Sequence, residues 1–128
     1  MVSEHLSLGA RGESLARKYL ERLGWKIIGQ NVRVGRHKEI DLLAYEGKTL
    51  VFVEVKARTS DEFGTPEEAV TVKKLARLQK AVALYIQQHR DVRNVRLDVI
   101  GILFPQVPGE RAKLKHLRAV GGGNPPVF

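Results

Sequence analysis

The feature that most constrains the fold of this chain is a predicted β-hairpin between Glu39 and Lys56. Its first arm covers residues 39–45, its turn is centred on Gly47, and its second arm covers residues 49–56. β-Branched and aromatic residues run from Val51 to Val53, which favours a buried strand. The hairpin nevertheless carries carboxylates in both arms, where a core strand would normally exclude them.

The alternation of side chains along a strand predicts which groups of this hairpin lie together. Glu54 and Lys56 project from one face of the second arm, and its odd-numbered valines project from the other. On the first arm Asp41 shares a face with Glu39 and Leu43, and the turn brings Asp41 back towards Glu54. Two carboxylates and a lysine on adjacent strands form a candidate metal site.

Length and charge limit the classes of protein to be considered. The chain has 128 residues, and we predict one domain over residues 1–120 followed by a disordered Gly/Pro-rich tail over residues 121–128. Lys and Arg number 22 against 14 Asp and Glu, a formal net charge of +8. Such an excess favours a polyanionic partner, most commonly nucleic acid, although a soluble basic protein without such a partner is the alternative.

The absence of cysteine excludes disulfides, a thiolate zinc site and a cysteine nucleophile, and it fits a reducing compartment. The first residues lack the pattern of a signal peptide, and no apolar stretch reaches membrane-spanning length. We therefore expect a soluble cytoplasmic protein with no membrane partner.

Helical periodicity predicts a first helix over residues 7–23, ending at Gly24. Glu13 falls on or beside the apolar face of this helix, which is unusual for a glutamate. The alternative is a solvated acid in the first turn, where the helix dipole favours negative charge. A strand over residues 25–34 follows, with Gly29 as the expected bulge.

A second helix is predicted over residues 71–89, where apolar residues recur at helical spacing. Lys73, Arg77 and Lys80 form a basic stripe on its opposite side. This stripe is either a phosphate-contact surface or an ordinary solvated face.

The remaining elements are a strand over residues 95–104 and an edge strand over residues 112–120. The predicted order gives a mixed β-sheet flanked by helices, in the α/β class. Asp98 shares a strand face with Arg96, and we expect the two to form a structural ion pair. Four histidines show no ligand spacing and are expected at the surface or at an interface; they are His5, His37, His89 and His116.

The two hairpin acids have a specific chemical consequence. Two carboxylates about 4 Å apart repel each other by roughly 4 kcal/mol at an effective dielectric constant of 20. An oxygen-only ligand set suits Mg²⁺ or Mn²⁺, which bind phosphate oxygens and activate water. The alternative is a structural ion pair of Glu54 with Lys56 or Lys48 on a solvated sheet face.

Asp41, the triplet Glu54-Val55-Lys56 and the preceding Glu13 resemble the PD-(D/E)XK nuclease superfamily, which carries an acid on one strand and an acid-x-lysine on the next. The chain more closely resembles a bacterial YraN-like family of predicted endonucleases related to Holliday-junction resolvases. The resemblance spans residues 9–120, and its segments are residues 12–13, 39–42, 51–58, 63–64 and 68–70. One departure is Ile40, which stands where the superfamily has a proline before its first acid.

This resemblance implies a restriction-endonuclease-like fold and a role for each site residue. Asp41 and Glu54 would hold Mg²⁺ or Mn²⁺, the Val55 carbonyl would add a ligand, Lys56 would assist the attacking water, and Glu13 would complete the site. The implied activity is metal-dependent endonucleolytic cleavage of DNA, including branched or junction DNA, and symmetric cleavage of a junction would require a homodimer.

Arg58 shares the strand face of Glu54 and Lys56 if the strand continues, and it is the predicted phosphate contact nearest the acids. The alternative to a nuclease is a catalytically silent nucleic-acid-binding protein with the same fold. A third interpretation is a purely structural partner of another protein, which would show no salt-dependent affinity for nucleic acid.

Overall fold

The structure is a computed structural model and describes residues 6–36, 39–62 and 64–121. The described residues form two α-helices, one short 3-10 helix and five β-strands. The elements are α1 (Leu8–Arg22), β1 (Lys26–Val32), β2 (Ile40–Glu46), β3 (Thr49–Arg58), the 3-10 helix (Glu67–Ala69), α2 (Val72–Gln88), β4 (Asn94–Leu103) and β5 (Lys113–Leu117).

The five strands form one mixed sheet whose spatial order follows the chain, β1-β2-β3-β4-β5. β3 and β4 are parallel and are connected through α2, whereas the other neighbouring strands are antiparallel. A parallel pair needs such a crossover because its strands run in the same direction. The predicted α/β class is confirmed, and β3 is hydrogen-bonded on both sides.

The predicted hairpin is present as β2 and β3. Its pairs run from Leu42↔Val53 to Glu46↔Thr49, and Gly47 adopts a φ of 58° in the two-residue turn. A positive φ in a short hairpin turn suits glycine, which has no Cβ to clash with the backbone. β3 extends two residues further than expected and ends at Arg58.

The sheet buries apolar residues on both faces. On one face α1 contributes Ala16 and Leu20 to a cluster with the odd-numbered valines of β3. On the other face α2 contributes Leu78 and Val82 to a cluster with Phe52. Two covered faces explain why β3 is an almost continuous apolar run.

In the first arm of the hairpin, side chains do not alternate strictly between the two faces of the sheet. Ile40 and Leu43 both pack in the cluster beneath α2, although three positions separate them. Leu42 packs in the cluster beneath α1. The expected common face of Glu39, Asp41 and Leu43 is therefore interrupted next to Asp41.

Both helices begin and end close to the predicted positions. The Ser7 side chain caps α1 by accepting the Ala10 N–H at 3.1 Å. The Thr71 side chain caps α2 by accepting the Lys74 N–H at 3.3 Å. Each cap satisfies an N–H that the first turn leaves without a helical acceptor.

The edge strands are shorter than predicted. β1 has a register shift between Ile27 and Gly29, which confirms the expected bulge. β5 ends at Leu117, and Ala119 adopts a φ of 54° beyond it, so the chain turns before residue 120. Residues 122–128 of the predicted tail lie outside the described residues, as do His5 and His37.

No helix in the described part of the chain is long and apolar enough to cross a membrane.

Candidate functional site

The site is built where β2 leaves β3. Beyond the pair Leu42↔Val53, the Asp41 carboxylate accepts the Val55 N–H, with 2.8 Å between Oδ2 and N. The side chain of Asp41 thus acts as acceptor for a β3 backbone donor. This bond fixes the carboxylate against β3 near Glu54.

Glu54 is buried in the centre of the sheet, with a relative exposure of 1%. Its Oε2 lies 3.4 Å from the Nζ of Lys56, whose side chain is 19% exposed. Side-chain exposure thus increases along β3 from Glu54 through Lys56 to the exposed Arg58. The ion-pair contact considered as the alternative is present, but it lies in the interior and not on a solvated face.

The pKa of Asp41 shows that the two acids affect each other. Burial, followed by the negative charge of Glu54, raises the pKa of Asp41 to about 8, and the hydrogen bond from Val55 only partly opposes this. A hydrogen bond with Glu54 and the charge of Glu13 raise the pKa further. Asp41 and Glu54 therefore share one site, and Glu13 on α1 lies within electrostatic reach.

The oxygen atoms of this site are of the kind that hard divalent cations bind. Asp41 and Glu54 offer carboxylate oxygens, which suit Mg²⁺ and Mn²⁺. A cation beside them would offset the repulsion that raises the pKa of Asp41. Over residues 6–36, 39–62 and 64–121, no three acids or histidines are already grouped as ligands of one ion.

The predicted phosphate contacts occupy two different elements. Arg58 is the exposed last residue of β3, and its guanidinium donates to the Ala57 carbonyl at 2.9 Å. Lys73, Arg77 and Lys80 lie on the exposed side of α2, whose other side packs on the sheet. Of the predicted phosphate contacts, Arg58 lies on the strand that carries Glu54 and Lys56, and the other three lie on α2.

A second polar cluster lies on the α1 side of the sheet, around the fully buried Asp98. Its Oδ1 accepts from Arg96 Nε at 2.8 Å and from the Ala119 N–H at 3.0 Å. Its Oδ2 accepts from a second Arg96 nitrogen at 3.0 Å and contacts His116 Nε2 at 2.8 Å. The predicted ion pair of Asp98 with Arg96 is confirmed.

His116 was expected at the surface or at an interface, and that expectation is wrong. Its side chain is only 6% exposed, its Nδ1 lies 2.9 Å from the Tyr19 hydroxyl, and its ring packs edge-on against Trp25. The sequence signal was an acid, Asp98, directly before the apolar half of its strand, because a buried acid requires hydrogen-bonding partners. His89 is exposed as expected and stacks on Tyr85.

A mixed sheet with an acid on β2 and an acid-x-lysine on the adjacent β3 is the arrangement of the restriction-endonuclease-like class. A profile of the family described as "Uncharacterised protein family UPF0102" matches residues 12–102, which include α1 from Gly12 onward, the hairpin, α2 and β4 up to Ile102. The chain belongs to this family, the YraN-like group of the restriction-endonuclease-like superfamily.

Individual relatives match over nearly the whole chain. A UPF0102 protein of Renibacterium salmoninarum is 43% identical over 117 residues, covering 91% of this chain and 97% of the relative. One from Beutenbergia cavernae is 44% identical over 116 residues, covering 90% and 96%. One from Geobacter metallireducens is 45% identical over 118 residues, covering 91% and 93%.

Proposed function

We propose that this protein is a metal-dependent endonuclease that hydrolyses phosphodiester bonds in DNA. The observation that carries the proposal is the juxtaposition of the half-buried Asp41 with the buried Glu54, where burial, followed by the charge of Glu54, raises the pKa of Asp41 to about 8. Two acids held close together destabilise a purely structural sheet, whereas in an enzyme they can bind a divalent cation.

Asp41 and Glu54 are the residues that would hold Mg²⁺ or Mn²⁺. When bound, such an ion supplies an activated water and stabilises charge on the attacked phosphate. The bond from the Val55 N–H keeps one Asp41 oxygen on β3, and a bound cation would replace the hydrogen bond between Asp41 and Glu54. The carbonyl oxygen of Val55 would be a further metal ligand, because the N–H and C=O of a strand residue point to the same side of the strand.

Lys56 supports the same chemistry. Its ammonium lies 3.4 Å from the Glu54 carboxylate and is partly open to solvent. From that position it orients a water beside the acids and offsets negative charge on a phosphate, because ammonium is a compact cation with three donors. Glu13, half-buried on α1 and within electrostatic reach of Asp41, is the residue that would complete the ligand set.

Basic residues provide the binding surface for the DNA backbone. Arg58 continues β3 beyond Lys56 and is exposed, and the basic stripe of α2 adds Lys73, Arg77 and Lys80. The net charge of +8 favours the approach of a polyanion. Branched or junction DNA is the proposed substrate class, and cutting both strands symmetrically would use a homodimer.

A catalytically silent nucleic-acid-binding protein is the second candidate. The contact between Lys56 and Glu54 favours it, because an ion pair can neutralise a buried acid without any metal. The two candidates differ in divalent-ion binding, which the silent protein would lack. They agree on salt-dependent affinity for nucleic acid.

The test is incubation of the purified protein with linear, flapped and four-way-junction DNA in the presence of Mg²⁺ or Mn²⁺. We expect cleavage by the wild type, and a loss of at least about a hundredfold in Glu54→Gln and in Asp41→Asn. Asp91→Asn is the matched control, since Asp91 is an exposed acid in the connection before β4. Cleavage that persists in both site variants would remove these acids from the mechanism.

A further inference from the structure

The strand register brings additional basic residues to the face of the sheet that carries Lys56. Lys56 pairs with Gly101 of β4, and Gly101 pairs with Lys115 of β5. Directly paired residues share a face, so Lys115 projects from the same side as Lys56. With strands about 4.8 Å apart, roughly 10 Å separates the backbones of the two lysines.

The neighbouring row repeats this arrangement. Arg58 pairs with Leu103, and Leu103 pairs with Lys113 of β5. Just before β5, Arg111 continues the same alternation, in which the odd-numbered residues are exposed and the even-numbered ones are partly buried. The exposed face of the β5 region thus presents three cations spaced by two residues, about 7 Å apart. We call Arg111, Lys113 and Lys115 the β5 basic row.

An acidic side chain lies beside this row. Glu67 of the 3-10 helix packs directly over Gly101, where a Cβ would lie 2.9 Å from the Glu67 backbone nitrogen. Its Oε2 lies 3.4 Å from Lys115 Nζ, and the side chains of Glu67 and Lys115 are 11% and 65% exposed. The carboxylate is thus turned inward and the ammonium outward, so an approaching anion meets the lysine first.

Two openings flank the 3-10 helix. One, of about 150 Å³, is lined by Gly101, Lys113 and Lys115 among others, and also by Asp61. The other, of about 240 Å³, is lined by Arg58 and by Glu68, whose carboxylate accepts the Thr65 N–H and hydroxyl. Cations on both sides of the helix can therefore be reached from solvent.

We propose that the β5 basic row is a second contact surface for the nucleic-acid backbone, continuous with Lys56 and Arg58. When the nucleic acid binds, one of its phosphates displaces the Glu67 carboxylate from Lys115. This inference rests on the proposed function insofar as it requires a nucleic-acid ligand. The alternative role of Lys113 and Lys115 is to protect an edge strand, because such strands commonly carry lysine to prevent edge-to-edge association.

The experiment measures the affinity of the full chain for a fluorescent DNA duplex in EDTA over a series of salt concentrations. Lys113→Gln with Lys115→Gln is expected to weaken binding about tenfold or more near 0.1 M salt and to reduce the slope of log K against log salt by up to about two. The matched control is Lys18→Gln with Arg22→Gln, which removes two exposed charges from α1 on the opposite face. Equal losses in both double variants, or no loss in the β5 variant, would overturn the proposal.

The role of Glu67 is tested with a double-mutant cycle. Glu67→Gln is expected to tighten binding severalfold in the wild type but not in a Lys115→Gln background, because the gain depends on releasing Lys115. A gain of the same size in both backgrounds would mean that only net charge matters, and it would overturn the displacement step. Circular dichroism and thermal unfolding of each variant verify that the fold is retained.

These measurements need neither metal nor cleavage, so they fail independently of the proposed activity. A β5 variant that binds DNA weakly in a protein that never cleaves DNA would support this surface and contradict the nuclease. Cleavage that depends on Glu54, together with unchanged DNA binding by the β5 variant, would support the nuclease and contradict this surface.

Discussion

The Asp41 carboxylate accepts the backbone N–H of Val55 at 2.8 Å, and this bond joins the two strands of the candidate site through a side chain. It positions one acid of the site beside the other, and burial together with the charge of Glu54 raises the pKa of Asp41 to about 8. The folded, metal-free protein therefore holds Asp41 mostly protonated at neutral pH, and the raised pKa lowers stability at any pH above the ordinary value of 3.8.

Asp41→Asn should stabilise the metal-free protein near pH 9 by roughly 1 to 3 kcal/mol, after allowance for solvent screening of the repulsion. The folded pKa lies above the ordinary value of 3.8. The wild type therefore loses stability as the pH rises from about 4 through about 8, whereas the asparagine does not titrate. The gain should shrink towards pH 5, and urea unfolding in EDTA at several pH values measures it. A constant difference between pH 5 and pH 9 would contradict the assignment.

Lys56→Gln should destabilise the metal-free protein by about 1 to 3 kcal/mol, because it removes the ammonium that lies 3.4 Å from the buried Glu54. Mn²⁺ should restore part of the loss by supplying positive charge to the same acids. Thermal unfolding with and without Mn²⁺ measures both effects, and Lys48→Gln, at the exposed hairpin turn, is the control. Equal stability of the two variants would argue against an energetic role for the Lys56 contact.

Gly12→Ala should destabilise the protein by about 1 to 3 kcal/mol, because a Cβ at Gly12 would lie 2.9 Å from the Ala57 Cβ. Pushing α1 away from β3 should also reduce cleavage, since α1 carries Glu13 next to this contact. Gly9→Ala in the same helix is the matched control: no atom lies within 4 Å of its added Cβ, and it should stabilise by about 0.5 to 1 kcal/mol. Chemical denaturation distinguishes the two signs, and destabilisation of similar size in both would contradict the close-packing account.

Asp98→Asn should destabilise the protein by about 3 to 5 kcal/mol. Each oxygen of Asp98 faces two nitrogen groups, so either orientation of the amide places its NH₂ against donors. Burial alone would raise the pKa of Asp98, but the bonds from His116, Arg96 and the Ala119 N–H outweigh it and hold the pKa below its ordinary value.

The contribution of Asp98 is therefore present above its ordinary pKa and is lost as the pH falls through the lower folded pKa. Urea unfolding at pH 7 measures the loss, with Asp91→Asn as the control. Because Asp98 lies on the face opposite Glu54, cleavage per folded molecule should be unchanged. A stability loss below about 1 kcal/mol would contradict the structural role of the cluster.

Local patterns predicted most of the fold. The apolar run of the second hairpin arm, the helix starts near Ser7 and Thr71, and the bulge next to Gly29 all depend on residues close in sequence, and the structure confirms them. The approach of Asp41 to Glu54 also followed from the short turn, because a two-residue connection leaves little freedom of register.

The long-range polar contacts could not be predicted in the same way. Tyr19, Asp98 and His116 come from α1, β4 and β5, and nothing local shows that the histidine lies beneath α1. The contact of Glu67 with Lys115 likewise depends on the 3-10 helix crossing Gly101. The deep burial of Glu54 was also not apparent, since alternation assigns a face but not what covers it.

The central claim is that Asp41 and Glu54 form one metal site, and a crystal structure of the protein soaked in Mn²⁺ tests it most directly. Anomalous scattering locates Mn²⁺ independently of the protein chain. We predict a peak at coordination distance, about 2 Å, from an oxygen of each carboxylate, which disappears in Glu54→Gln. A fully soaked crystal without a peak between these acids, and with Lys56 still in contact with Glu54, would contradict the account.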